Sequence, residues 1–151
     1  MRESEHKKSA SAYELVRSAL LAGRYPPGAR IDPNVLSKVL KCSQTPVRLG
    51  LNRLVGEGVV TDHGRSGLMV PLPTELALHD LYDWMSRLLV MACDTGLPAR
   101  GEVPYLIRSG EIDLAQRTWN LFDAIAAGSG HRSLHHSVVL AHDRMAPSRP
   151  A

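Results

Sequence analysis

The spacing of apolar residues predicts a mainly helical protein that is interrupted once by a short β-hairpin. A first helix is expected to begin near Ser9 or Ser11 and to end at Gly23, a residue type common at helix C-termini. Its inward face is formed by apolar residues three or four positions apart, namely Tyr13, Val16 and Leu20.

A second, shorter helix is predicted to follow the turn in RYPPGARI. Asp32 is its expected N-cap and Pro33 its first residue, where a missing N–H group costs nothing. The apolar residues of this helix are predicted to form its buried face: Val35, Leu36, Val39 and Leu40. Only two residues, Lys41 and Cys42, separate this helix from the next one, which begins near Ser43. This spacing predicts a helix-turn-helix.

The third helix, SQTPVRLGLNRL from Ser43 to Leu54, has two chemically different faces. One face is an apolar stripe: Val47, Leu51, Leu54 and Val55. The other face is rich in hydrogen-bond donors: Gln44, Thr45, Arg48, Asn52 and Arg53. Ser43 is its expected N-cap, and Pro46 lies in the first turn. Such a helix suits the acceptor-rich major groove of DNA, although an ordinary solvated amphipathic helix has the same pattern.

After this helix the period changes from helix to strand. Residues 59–61 and 68–70 are predicted to be two strands, joined by a turn of sequence DHGRSG. The turn is basic and rich in glycine, with His63, Gly64, Arg65 and Gly67 at its tip. A helix-turn-helix followed by a hairpin is a winged helix, and small residues at the tip allow close approach to a DNA backbone.

Residues 10–71 resemble the DNA-binding domain of GntR-family transcriptional regulators. The most specific segments are YPPGARI, the TPVR of residues 45–48, and EGVV before the hairpin. The resemblance implies DNA contacts at Arg30, in the third helix and along the wing. With the exposed polar positions of the third helix, the predicted DNA-binding set is Arg30, Ser43, Gln44, Thr45, Arg48, Asn52, His63, Gly64, Arg65 and Gly67.

Two positions of the third helix depart from the pattern of that family. Gln44 stands where the family usually has Arg, and Leu49–Gly50 stand where it usually has an acidic residue and Ala. Gln can read adenine but supplies no charge. Gly within a helix costs about 1 kcal/mol relative to Ala. These departures leave open a different class of function, an interaction protein whose degenerate winged helix pairs with another regulator.

The second half of the chain begins with a long amphipathic helix that starts at Thr74 or Glu75. It can pack within a small helical domain, or it can pair with a second copy of the chain. About 75 residues bury little apolar surface alone, which favours a homodimer. The predicted dimer interface is the apolar stripe of this helix: Leu78, Leu81, Tyr82, Met85, Leu88 and Leu89.

Two segments of the second half, LHDLYDWMSRLLVMA and SGEIDLAQRTWNLFDAIAAGSGH, resemble the helical domain of the FadR-type branch of that family, in shortened form. In that branch the second segment carries metal ligands, which would fall here at Trp119 and Asp123. Trp cannot ligate a metal, and the histidines at positions 131, 135, 136 and 142 read as solvated residues of a final helix. No metal and no cofactor is therefore expected.

Charge and composition agree with this division of the chain. Residues 1–72 carry a net charge of +5 and residues 73–151 a net charge of −2, so the front half is the one expected to meet a polyanion. There is no apolar secretory segment and no membrane-length apolar run, so a cytoplasmic protein is expected. The two cysteines are expected to be buried free thiols. No catalytic motif is present, which makes an enzyme improbable.

The sequence therefore predicts a winged helix-turn-helix over residues 1–72 and a short α-helical domain over residues 73–151. The predicted function is a transcriptional regulator, a repressor that binds double-stranded DNA at an inverted repeat as a homodimer. A small organic acid is the candidate effector. The alternatives are the interaction protein described above and, as a third class, a small metal-dependent enzyme.

Overall fold

Helices dominate the described part of the protein, which also contains one small antiparallel sheet. The computed structural model describes residues 2–96 and 114–146, with side chains from residue 10 onward. The chain divides into two compact units. Unit 1 comprises Met1–Thr74 and Asp143–Ala151, and unit 2 comprises Glu75–His142.

The first helix of unit 1, α1 (Arg2–Leu21), begins earlier than the sequence pattern predicted. The predicted start near Ser9 or Ser11 was wrong, because neither Gly nor Pro occurs before Gly23 to interrupt the helix. The end is as predicted. Gly23 has a φ of +68°, and the amide of Arg24 donates to the carbonyl of Ala19, which closes the last turn.

The helix-turn-helix consists of α2 (Pro33–Val39) and α3 (Gln44–Gly56). Asp32 caps α2 as predicted, since its Oδ1 accepts a hydrogen bond from the Asn34 amide at 2.7 Å. The predicted buried face of α2 is partly wrong. Val35 and Val39 are 54% and 65% exposed, because the short α2 buries only the edge that contains Leu36.

Three two-residue strands form the sheet: β1 (Arg30–Ile31), β2 (Thr61–Asp62) and β3 (Leu68–Met69). The order is β1-β3-β2, with both β1 and β2 antiparallel to β3. The first predicted hairpin strand begins two residues too early. Val59 and Val60 are buried, and both of their amides donate to the Leu54 carbonyl, which ends α3 instead of extending the sheet.

Helices α1 and α3 pack closely against each other in the core of unit 1. Gly50 is buried, and a Cβ built on it would lie 3.0 Å from the backbone N and Cα of Tyr13. Gly50 therefore lets the two helices touch, which explains its place in α3. The buried residues of this core are Ala12, Tyr13, Val16, Leu20, Ile31, Leu36, Val47, Leu51, Leu54, Val59, Val60 and Val70.

Unit 2 is built from α4 (Glu75–Thr95), α5 (Leu114–Gly128) and most of α6 (Arg132–Met145). Helix α4 packs against α5. Its inward side is formed by Leu81, Met85, Leu88 and Ala92. Residues 97–113, between α4 and α5, lie outside the described residues.

Neither cysteine forms a disulfide, but their expected burial is only partly correct. Cys42 is half-buried, and Cys93 is exposed because it lies on the outer side of α4. Among the described helices, none is both long and apolar enough to cross a bilayer.

Candidate nucleic-acid interface

Helix α3 presents the predicted polar residues to solvent and its apolar stripe to the core. Gln44, Thr45, Arg48 and Asn52 are all exposed, and Val47, Leu51 and Leu54 have no exposed surface. This separation leaves the donor-rich face free to approach a large ligand, while the other face fixes the helix on α1.

Ser43 occupies the N-cap position of α3, with φ −69° and ψ 161°. Within the described part of the chain, its hydroxyl makes no capping hydrogen bond to the helix, unlike the carboxylate of Asp32 at α2. The Ser43 side chain is exposed and can therefore act outward.

A surface depression of about 410 Å³ gathers four of the predicted residues from three parts of the fold. Arg30 comes from β1, Arg48 and Asn52 come from α3, and Gly67 comes from the wing. The remaining lining residues are Ile31, Asp32, Pro33, Asn34, Asp62 and Leu68. The depression thus lies between α3 and the wing, and β1 contributes to its lining.

The Arg30 side chain packs against Gly67 of the wing. Gly67 has a φ of +83°, which L-residues with a Cβ rarely adopt. A Cβ at this position would also lie 3.4 Å from Nε and Nη2 of Arg30. The glycine predicted from the motif therefore leaves room for the Arg30 guanidinium in the depression.

Two carboxylates in the depression, Asp32 and Asp62, were not part of the predicted site. Each holds a local turn: Asp32 caps α2, and Oδ1 of Asp62 accepts a hydrogen bond from the Gly64 amide at 2.8 Å. The sequence predicted the Asp32 cap, and the Asp-x-Gly of residues 62–64 could likewise have indicated the second turn. Their charges offset part of the positive charge of Arg30 and Arg48, so the depression suits base edges better than a phosphate cluster.

The wing tip is formed by a short 3-10 turn, Gly64–Ser66, between β2 and β3. His63, Gly64 and Arg65 are exposed, as expected of a segment that lies along DNA. Thr61 Oγ1 lies 3.2 Å from His63 Nε2, which orients the imidazole. Arg65 projects from the tip, where a phosphate contact is geometrically open to it.

Arg53 also lies on the polar side of α3, but it is engaged within unit 1. Its guanidinium lies 3.9 Å from the centroid of the Tyr13 ring, and its Nε donates to Glu57 Oε1 at 2.9 Å. The Tyr13 hydroxyl donates to Glu57 Oε2 at 2.8 Å. Burial, with the Glu57 hydrogen bond and charge, raises the pKa of Tyr13 to about 12. The hydrogen bond to Glu57 likewise raises the pKa of Arg53.

In unit 2, the two positions that the family resemblance would assign to metal ligands have other partners. The ring of Trp119 stacks on His142, with centroids 3.6 Å apart and an interplanar angle of 22°. Asp123 Oδ1 lies 2.7 Å from His135 Nε2. These residues do not fit a metal site, because indole offers no ligand atom and the carboxylate is already paired. Over the described residues, no group of three potential ligands is found; absence of metal remains a prediction.

Unit 2 also contains a mostly apolar cavity of about 380 Å³, which the sequence did not reveal. Trp84, Leu88 and Met91 of α4 form one wall and Leu134 of α6 contributes to the other. Its polar lining residues are Thr95, His131, Ser133 and Ser137. Trp84 and Met91 lie off the buried stripe of α4, and only the position of α6 makes them walls of a cavity.

The six residues predicted for a dimer interface differ in exposure. Leu81, Met85 and Leu88 are at most 8% exposed within a single chain. Leu78 and Leu89 are half-buried, and Tyr82 is 59% exposed. The accessible part of the predicted interface is therefore one flank of α4, formed by Leu78, Tyr82 and Leu89, which we name the Tyr82 flank.

Unit 1 is a winged helix with its polar recognition face exposed. Residues 8–70 match the model of the gntR family of bacterial regulatory proteins. This segment is therefore similar to that family, and the match coincides with the motifs that indicated the resemblance.

One curated relative is also similar to part of the chain. The Nta operon transcriptional regulator of Aminobacter aminovorans is 40% identical over 57 residues, which are 38% of this chain and 27% of that protein. The chain therefore matches only about a quarter of the length of this curated relative.

Two solved structures share the fold over most of the chain. Escherichia coli McbR/YncC superposes with a TM-score of 0.77 and 22% identity, over 93% of this chain and 72% of that one. The transcriptional regulator GntR from Rhodococcus sp. RHA1 has a TM-score of 0.74 and 18% identity, over 93% and 73% of the two chains. At these identities the likeness concerns the fold, which is mainly helical with a small sheet, as predicted.

Proposed function

We propose that the protein is a transcriptional regulator that represses its target by binding an inverted-repeat operator as a homodimer. The observation that carries this proposal is the depression in which Arg48 and Asn52 of α3 meet Arg30 and the glycine of the wing. Helix α3 enters the major groove, and the wing lies against the backbone. Repression follows if the bound dimer excludes polymerase from the promoter.

Dimerisation is assigned to the Tyr82 flank of α4. Tyr82 is a large aromatic residue that exposes 59% of its surface, and Leu78 and Leu89 lie beside it at helical spacing. Aromatic residues are enriched in protein interfaces, where they bury much apolar area at a small entropic cost. Pairing along this flank would present two copies of α3 to two half-sites.

A small organic acid remains the proposed effector, and the cavity between α4 and α6 is its proposed site. The volume of about 380 Å³ and the wall of Trp84, Leu88 and Met91 suit the apolar body of such a molecule. Hydroxyls of Thr95 and Ser137 donate to their own helices, so His131 and Ser133 are the groups offered to a carboxylate. We also propose that the chain belongs to the FadR-type branch and that its helical domain binds the effector without a metal.

Replacing Arg48 with Ala tests the proposed function directly. Arg48 is exposed, so the variant should fold normally and keep its thermal melting temperature. Its guanidinium can make two parallel hydrogen bonds to guanine, and its loss should cost about 1–3 kcal/mol of binding per half-site. Binding is measured on an operator selected from a random pool and on a scrambled duplex, at three salt concentrations.

The matched control is Arg87→Ala, which removes the same charge from an exposed pair with Asp83 in unit 2. It should leave the affinity for the operator unchanged. A loss for Arg48→Ala on the operator alone indicates base reading. An equal loss on both duplexes, with a salt slope lower by about one, indicates a phosphate contact. Unchanged binding to both would contradict the proposal and favour the interaction-protein alternative, which Gln44 still supports.

A further inference from the structure

One large apolar side chain, Leu49, is exposed on the polar face of α3, beside the depression and not in its lining. It exposes 52% of its surface, although the neighbouring Leu51 is completely buried. The predicted DNA-binding set does not include Leu49, because an apolar residue provides no hydrogen bond. An exposed leucine on a surface that otherwise consists of polar residues needs a physical reason.

The position of Leu49 on the helix supplies that reason. Residues three and four positions apart share one face of an α-helix, so Leu49 lies beside both Thr45 and Asn52. All three are exposed, as is Arg48. The opposite face consists of the buried Val47, Gly50, Leu51 and Leu54. Leu49 therefore lies within the reading stripe and points away from the core.

The major groove offers one apolar group for such a side chain, the C5 methyl of thymine. The other groups that the groove presents are mainly hydrogen-bond donors and acceptors. An aliphatic side chain beside Asn52 would desolvate a donor or acceptor at a large cost, whereas it gains from contact with a methyl. The residue chemistry therefore favours thymine at the position that Leu49 reaches.

We propose that Leu49 is a specificity-determining residue that contacts a thymine methyl group in each half-site of the operator. The proposal rests on the proposed function, since it requires α3 to lie in the major groove of a specific site. The proposal gives a role to the leucine that stands where the family usually has an acidic residue. An acidic residue here would accept hydrogen bonds, while Leu49 selects for an apolar contact instead.

The test removes single methyl groups from the DNA. An operator is selected from a random duplex pool, and each thymine is then replaced in turn by uracil, which differs from it only by the C5 methyl. The wild-type protein should bind about fourfold more weakly at one uracil position per half-site, the effect of about one buried methyl group. This part of the experiment needs no protein variant and therefore cannot fail through misfolding.

Two variants then assign the methyl contact to a residue. Leu49→Ala should bind the thymine and uracil operators alike at that position. The control Val39→Ala removes a 65% exposed apolar side chain from α2 and should keep the fourfold difference. The inference is overturned if no uracil position weakens the wild type, or if Leu49→Ala remains equally sensitive to the methyl. A pool that enriches no site would instead contradict the proposed function, and the inference with it.

Discussion

Units 1 and 2 differ in how completely the described helices bury their apolar residues. Helix α3 of unit 1 buries Pro46, Val47, Gly50, Leu51 and Leu54, whereas the only fully buried residue recorded for α5 of unit 2 is Ala126. The large apolar side chains that unit 1 exposes are all aliphatic, whereas α4 of unit 2 exposes two aromatic residues and a methionine besides Leu76 and Val90. A closed core suits a domain that binds only through its polar surface, and an open one suits a domain that binds apolar partners.

The exposed residues of α4 lie on two different flanks of the helix. Tyr82 lies beside Leu78 and Leu89, whereas Trp84 and Met91, seven positions apart, line the cavity with α6. The buried stripe of Leu81 and its neighbours separates the two. This arrangement allows assembly and ligand binding to use separate surfaces of a single helix.

The largest effect is expected from a charge placed on the Tyr82 flank. Tyr82→Glu should raise the dissociation constant of the homodimer at least about thirtyfold, because truncating a central aromatic residue in an interface costs about 2 kcal/mol or more. Trp84→Glu, on the other flank, should leave dimerisation unchanged. Sedimentation over a range of concentrations measures both, and circular dichroism checks the helical content.

If both variants weaken the dimer alike, the interface covers the cavity and the two flanks do not have separate roles. If the wild type is a monomer at micromolar concentration, the open side of unit 2 has some other partner, and the proposed homodimer is wrong.

Two glycines of α3 provide the next test, which concerns the closed core of unit 1. Gly50→Ala should lower the free energy of unfolding by about 1–3 kcal/mol, because the new methyl would press on the backbone of α1 at 3.0 Å. Gly56→Ala should raise it by about 0.5–1 kcal/mol, since a Cβ there meets no described atom within 4 Å. Urea unfolding measures both. Stabilisation by Gly50→Ala would contradict the close approach of α1 and α3.

Most local structure of unit 1 could be predicted from the sequence because it depends on residues close together in the chain. Gly23 and Asp32 end and begin helices through their own backbone or side-chain chemistry, and both predictions are confirmed. The two faces of α3 follow from its periodicity. The pairing of β1 with β3 could not be predicted, since it joins residues nearly forty positions apart.

The same limit applies to the candidate site. The family motif identified Arg30, Arg48 and Gly67, but not the carboxylate of Asp62 that faces the same depression. The contact of Gly50 with Tyr13 could not be predicted either. An isolated glycine in a helix looks merely destabilising until the residue that packs against it is known. Exposure of Val39 depends likewise on how little of a short helix its partner can cover.

A smaller effect is expected at the rim of the unit 1 core, where Tyr13 bonds to Glu57. Tyr13→Phe removes one hydrogen bond of 2.8 Å and should cost about 0.5–1.5 kcal/mol near neutral pH. The pKa of Tyr13 is raised from 10.0 to about 12, so the unfolded chain loses this proton first as pH rises. The advantage of the wild type over Tyr13→Phe is therefore full below about pH 10 and shrinks as pH rises toward 12. A pH-independent difference in urea unfolding would contradict this.

The smallest effect on stability is expected at Ser43. Asp32→Ala should cost about 0.5–2 kcal/mol of unfolding free energy, because the carboxylate caps α2 at 2.7 Å. Ser43→Ala should change it by less than about 0.5 kcal/mol, since no capping bond from its hydroxyl is found among the described residues. If Ser43 donates to DNA, its loss should still weaken operator binding by about 0.5–1.5 kcal/mol. A variant as unstable as Asp32→Ala would mean that the Ser43 hydroxyl caps α3 in solution and is not the DNA contact predicted from the sequence.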